Sequence, residues 1–182
     1  MVRDLPLDSL HLMKTMISSL SAALFAGVCC VASAAEAAKP LSVWSSDKKL
    51  SIALELLDGW KTSVAKDGST AIEVPMSGVH LQISALGNAS VDEAVGKAPE
   101  LIKGQVTQFK VTETKQITVA GAPGRVLTGT GEEEDDGDPS NAEVYFFSVE
   151  DKLFMLCAHG EGDGAVKNRK LIAALLASVK KS

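Results

Sequence analysis

Hydrophobic positions change period several times along the chain, and each change marks an element. Residues 16–31 form an uncharged run rich in Leu, Ala, Ile and Val. After it the pattern turns to short strands. Leu50, Ile52 and Leu54 alternate with their neighbours, the period of two expected of a strand with one buried face. Asp58-Gly59 is a turn, and a strand follows from Trp60 to residue 64. Asp67-Gly68 predicts a two-residue hairpin leading into a strand over 70–74, which Pro75 ends because proline cannot donate to a ladder. Val79, Leu81, Ile83 and Ala85 alternate again.

The next stretch has helical spacing. Ser90-Val91-Asp92-Glu93 is a capping box, and Val91, Ala94, Val95, Ala98, Leu101 and Ile102 recur on one face up to Gly104. Pro99 lies inside this pattern and should kink the helix or break it near Ala98. Residues 106–119 are long and Thr-rich, suited to one long or bent strand. A turn over 121–124 leads into a strand over 125–130, and residues 131–141 read as a polar, acidic loop. Residues 143–149 and 153–159 form a hairpin around Glu150-Asp151-Lys152. Its second arm is apolar from Leu153 to Ala158, as in a central strand covered on both faces. A last helix runs over about 165–179, capped by Asp163, with Leu171, Ile172, Leu175, Leu176 and Val179 as its buried stripe.

The order is therefore strands, helix, strands, helix, joined mostly by hairpins. That predicts an α+β domain over 41–182, an α/β/α sandwich with a mainly antiparallel central sheet flanked by helices.

Residues 1–34 are expected to lie outside that domain. Lys14, the greasy run and the small residues Ala32-Ser33-Ala34 are the three parts of a secretory signal peptide cleaved near Ala34. The run of 16 residues is short of the roughly 18–20 that a bilayer span requires. Arg3, Asp4 and Asp8 do not suit an export segment, which puts the expected start of translation at Met13. Cys29 follows Val28 and Cys30 follows Cys29, so neither has the small residue before it that lipidation needs. Residues 35–40 read as a flexible leader.

Net charge is −5, which argues against a nucleic-acid partner, since binding phosphates needs a basic face. The 46% hydrophobic content excludes wholesale disorder. Cleavage after Ala34 would leave Cys157 as the sole cysteine, so no intrachain disulfide is expected.

Candidate chemistry is sparse. Gly160-Glu161-Gly162-Asp163-Gly164-Ala165 has the spacing of a nucleotide fingerprint, but Glu161 and Asp163 place carboxylates where a pyrophosphate would sit, and no parallel strand follows. A turn and helix cap is the simpler reading. Cys157 and His159 share one face of a strand and, with His80, would give three soft ligands for zinc or copper. Cys157 as a buried hydrophobe is the simpler alternative, and as a nucleophile it lacks an orienting third group. Glu132, Glu133, Glu134, Asp135, Asp136 and Asp138 crowd one loop, where mutual repulsion favours a solvated tip. Calcium could relieve that repulsion, but an EF-hand register from Asp136 puts Asn141 and Phe147 where Gly and Glu belong. The same carboxylates could serve as a docking handle for a basic partner. Tyr145 and Phe147 share one strand face and Phe146 the other; like Trp44 and Trp60 they read as core or cross-strand pairs.

Leu57-Asp58-Gly59-Trp60, the helix entered at Ser90, Val119-Ala120-Gly121-Ala122-Pro123, residues 153–159 and the ending Ser178-Val179-Lys180 together carry a likeness. In these residues the chain resembles the PsbP-like superfamily, which includes the extrinsic P subunit of photosystem II, a nuclear Ran-release factor and bacterial envelope proteins of the DcrB kind. Leu57-Asp58 departs from the family's proline-led turn. The resemblance implies an α/β/α sandwich and a role in binding or assembling other proteins, with no common enzyme activity. The expected function is a non-enzymatic, exported accessory domain of the bacterial envelope, periplasmic, without cofactor, docking to another envelope protein. The alternative is a periplasmic carrier of a small ligand or metal ion.

Overall fold

Ten strands form two sheets in the computed structural model, which describes residues 40–45 and 47–182. The first strands are β1 (Pro40–Trp44), β2 (Ser51–Glu55), β3 (Lys61–Val64), β4 (Thr70–Glu73) and β5 (His80–Gly87). Helices α1 (Val91–Gly96) and α2 (Ala98–Leu101) follow, then β6 (Val106–Val119), β7 (Ala122–Glu133), β8 (Pro139–Val149) and β9 (Lys152–Glu161). Helices α3 (Gly164–Lys167) and α4 (Arg169–Ala177) and strand β10 (Lys180–Lys181) complete the order. The expected signal peptide, its cleavage site, Cys29 and Cys30 and the leader up to residue 39 lie outside the described residues.

The larger sheet runs β3-β4-β5-β9-β8-β7-β6, and every pairing between its strands is antiparallel. The uniformly apolar β9 occupies its centre, as a strand buried on both faces must. Alternation along β8 divides the core. Ala142, Val144 and Phe146 pack with Leu153, Met155 and Cys157 beneath α1 and α2. Tyr145, Phe147 and Val149 pack with Phe154 and Leu156 on the other side, against Ile172, Leu175 and Leu176 of α4. Each buried Val, Leu, Ile, Phe or Met among them contributes about 1.5–3 kcal/mol of burial.

The chain has the α+β, largely antiparallel architecture expected, with one refinement. The α4 face is shared with a second sheet, β1-β2-β10, whose Val43, Ile52 and Leu54 join the same core. Lys180-Lys181, just past the end of α4, is paired to β2.

Both expected helices are interrupted. The first breaks at Lys97, with Pro99 in the opening turn of α2, where a missing N–H is harmless. Ser90 Oγ accepts the Glu93 amide at 3.1 Å, but Glu93 turns to Lys97 instead of closing the capping box. The last helix breaks at Asn168, whose side-chain amide donates to Ser77 O at 3.0 Å and Gly164 O at 2.8 Å. Asp163 does not cap α3; its carboxylate pairs with Lys167 at 3.1 Å. The Asp67-Gly68 hairpin is longer than two residues: Ala65 and Ser69 still bond, leaving 66–68 as the loop with Gly68 at φ +83.

Candidate functional site

α1 and α2 cover only the β6–β9 part of their face. Toward β3 the same face carries a polar row set by register: Lys61 stands opposite Glu73, Glu73 opposite His80, and His80 opposite His159. Gly104 and Gln105, just after α2, and residues 133–135, at the end of β7, wall this region into a depression of about 480 Å3. A second depression of about 520 Å3 follows the same strands further along, lined by Val43, Trp44, Val64, Leu86, Leu101 and Met155 among others. Trp44 and Val64 on its rim are 56% and 73% exposed.

His159 is the best-defended polar group of the first depression. Its Nδ1 lies 3.4 Å from Glu133 Oε1, which also takes the Ser140 hydroxyl at 2.9 Å. A carboxylate only accepts, so the proton belongs on Nδ1 and the lone pair on Nε2. Burial holds the His159 imidazole below its ordinary basicity, with Glu133 opposing. The His80 ring lies alongside, 5.5 Å between ring centres and 27° between planes. Gln105 Oε1 is buried in the wall without a hydrogen-bond partner.

Of the three sequence-predicted ligands, the fold brings His80 and His159 together and withholds Cys157. That thiol is wholly buried under α1 and α2, and burial pushes it up to about 12. It stays protonated at neutral pH and faces no solvent, which suits a packing role over a nucleophile or ligand. Among the described residues no three His, Cys, Asp or Glu side chains already converge as a metal site.

The six clustered carboxylates separate into two kinds. β7 and β8 stay paired as far as Glu132 and Pro139, so the loop expected over 131–141 contracts to 134–138. Within it Gly137 N reaches Glu133 O, and Asp136 Oδ1 accepts the Asp138 amide. Glu133 turns inward to Ser140 and His159, and Glu132 accepts Gln108 Nε2 at 2.6 Å. Glu134, Asp135, Asp136 and Asp138 are left exposed at the tip.

Two polar clusters escaped the sequence. Glu143, 2% exposed on β8, accepts the Tyr145 hydroxyl at 2.6 Å and the Arg169 Nε of α4. Burial, together with that carboxylate, pushes the Tyr145 phenol well above its ordinary range. Lys152 is buried at the start of β9, held by Asp47 at 2.9 Å and Asn88 at 2.7 Å. Both act between elements, pinning α4 and the β1–β2 connection to the sheet. Gly160-Glu161-Gly162-Asp163-Gly164 has a packing cause too. A β-carbon at Gly160 or Gly164 would come 2.1 or 2.4 Å from Gly78 O, so close backbone approach, not a phosphate, requires these glycines.

No family model matches the chain, and no curated protein matches it. Solved structures do. One is LpqN, involved in cell envelope biogenesis of Mycobacterium tuberculosis, with a TM-score of 0.52, 14% identity, and coverage of 79% of this chain and 91% of that one. Another is cyanobacterial PsbP from Synechocystis, with a TM-score of 0.52, 11% identity, and coverage of 80% and 94%. At such identity these likenesses concern the fold. Among the described residues no helix is long and apolar enough to cross a membrane.

Proposed function

From a chain with the PsbP-like fold, we propose an exported, non-enzymatic protein-binding domain of the bacterial envelope that works through the part of its larger sheet that α1 and α2 leave open. The observation that carries this reading is the make-up of that face. The acidic tip of the β7–β8 hairpin bounds one depression, and the exposed Trp44 and Val64 rim the other. Aromatic anchors desolvate on contact and supply most of the affinity of a typical interface. Exposed carboxylates steer a basic partner and fix its orientation. The neutral, enclosed thiol of Cys157 supports the non-enzymatic part. Likeness to an envelope-biogenesis protein and a PsbP supports export.

The test is affinity capture from a native envelope extract, run in parallel with Trp44→Ala and with a tip in which Glu134, Asp135, Asp136 and Asp138 are made amides. One partner should be held by the unaltered chain, weakened by 0.5 M salt at the roughly 3–5 Å screening length that salt brings, and lost in both variants. A capture profile unchanged in both variants, or a turnover abolished by one side-chain replacement, would count against the reading.

A further inference from the structure

We propose that His80 and His159 form a two-imidazole site for a borderline divalent cation of the copper–zinc class. The site lies on the same face as the docking surface but uses no residue that the capture experiment alters, so either can fail alone.

Three observations carry it. First, the strand register places the two histidines directly opposite each other on β5 and β9, so their approach is fixed by backbone pairing. Second, the ring centres are 5.5 Å apart. Two imidazoles bound to one tetrahedral ion through nitrogens at about 2.0–2.1 Å place their ring centres about 5 Å apart. With the rings stacked and their planes inclined by 27°, closing the chelate requires the exposed His80 ring to turn. Third, the Nδ1 of His159 is occupied by Glu133, itself fixed by Ser140. A carboxylate behind the imidazole orients the ring, sets the tautomer and makes Nε2 a better donor, the usual outer-shell arrangement of a metal-binding histidine. Glu73, opposite His80 and, among the described residues, ion-paired only with exposed Lys61 at 3.9 Å, can approach as a third donor, with water completing the shell.

The imidazole pair and its carboxylate select ions that accept nitrogen donors; calcium and magnesium prefer all-oxygen shells. The exposed acidic tip raises the local cation concentration without choosing among cations.

The chain has three histidines, which makes the test clean. Full-length protein carrying Cys29→Ser and Cys30→Ser, made without a histidine tag and stripped with chelator, is titrated calorimetrically with Zn2+, then with Cu2+. The expected result is one ion per chain, with affinity at least tenfold weaker in His80→Ala and in His159→Ala, and unchanged in His11→Ala. Glu133→Gln, which keeps the shape and weakens the acceptor, should lose about 10-fold or more. Circular dichroism confirms that each variant is folded; if His159→Ala is not, exposed His80 and the imidazole NMR signals of His159 in the unaltered chain decide alone. Absence of heat with either ion, or full affinity retained in His80→Ala, overturns the site.

Discussion

The carbonyl oxygen of Gly78 lies where a β-carbon on Gly160 would come within 2.1 Å, so the loop before β5 and the end of β9 meet backbone to backbone. Gly160→Ala should therefore lose about 2–3 kcal/mol, the upper part of the roughly 1–3 kcal/mol range for forced overpacking. Gly162→Ala should lose only about 1–2 kcal/mol, since its φ of +58 is strained for a side chain but nothing lies within 4 Å. Urea midpoints of the two variants measure the difference; equal losses would remove the close approach as the reason for glycine at 160.

Glu143 and Arg169 make a second test. Arg169→Ala leaves a buried carboxylate with only neutral partners, Tyr145 and Thr128. Losing a hydrogen bond to a charged group should cost about 1.5–3 kcal/mol. Because half-exposed Arg169 is replaceable by water, the lower part of that range is expected. Adding Glu143→Gln should return part of the loss, with a coupling of at least about 0.5 kcal/mol. Strictly additive unfolding energies would show that the pair does not hold α4.

Acid should weaken the fold through His159 before the carboxylates titrate. Its folded-state basicity is depressed, chiefly by burial, so between that value and the unfolded value near 6.5 the unfolded chain binds the extra proton. Stability is then full above about 6.5 and declines as pH falls below it. Denaturant unfolding at pH 7.5 and 5.5 should show the drop in the unaltered chain and a smaller one in His159→Gln. The same drop in both would place the proton elsewhere.

Cys157 should resist labelling. With Cys29→Ser and Cys30→Ser in place, a thiol reagent at pH 8 meets a thiol that burial holds protonated and shut from solvent. Modification should follow the opening of the fold and accelerate by orders of magnitude in denaturant. Labelling as fast in buffer as in urea would contradict the burial of this strand.

Where the sequence was legible, one segment carried its own answer. The unbroken apolar stretch from Leu153 to Ala158 could only be central, and Pro99 could only interrupt a helix. The side of each aromatic on β8 followed from period alone. What stayed hidden depended on pairings distant in sequence. Leu50, Ile52 and Leu54 alternate as any strand would, and nothing local says that β2 belongs to a separate sheet. Glu143 shares a face with Tyr145 and Phe147, and nothing local says that Arg169 will arrive from α4 to neutralise it. His80 and His159 were visible as residues, but their meeting required the β5–β9 register, which also sets Cys157 apart beneath the helices. The acidic stretch announced its charge but not that Glu133 would turn inward.

The smaller sheet has a consequence for the order in which the molecule can assemble. β2 is flanked by β1, its neighbour in the chain, and by β10, and Lys180 and Glu55 meet across 125 residues. α4, which closes the same core, comes from that late region as well. Until α4 and β10 dock, β1 and β2 form a hairpin whose greasy side they leave open, and such a hairpin is marginal in water. The apolar side of that hairpin is therefore sealed only by the segment 164–181, and trimming α4 or β10 would lay the shared core bare to water.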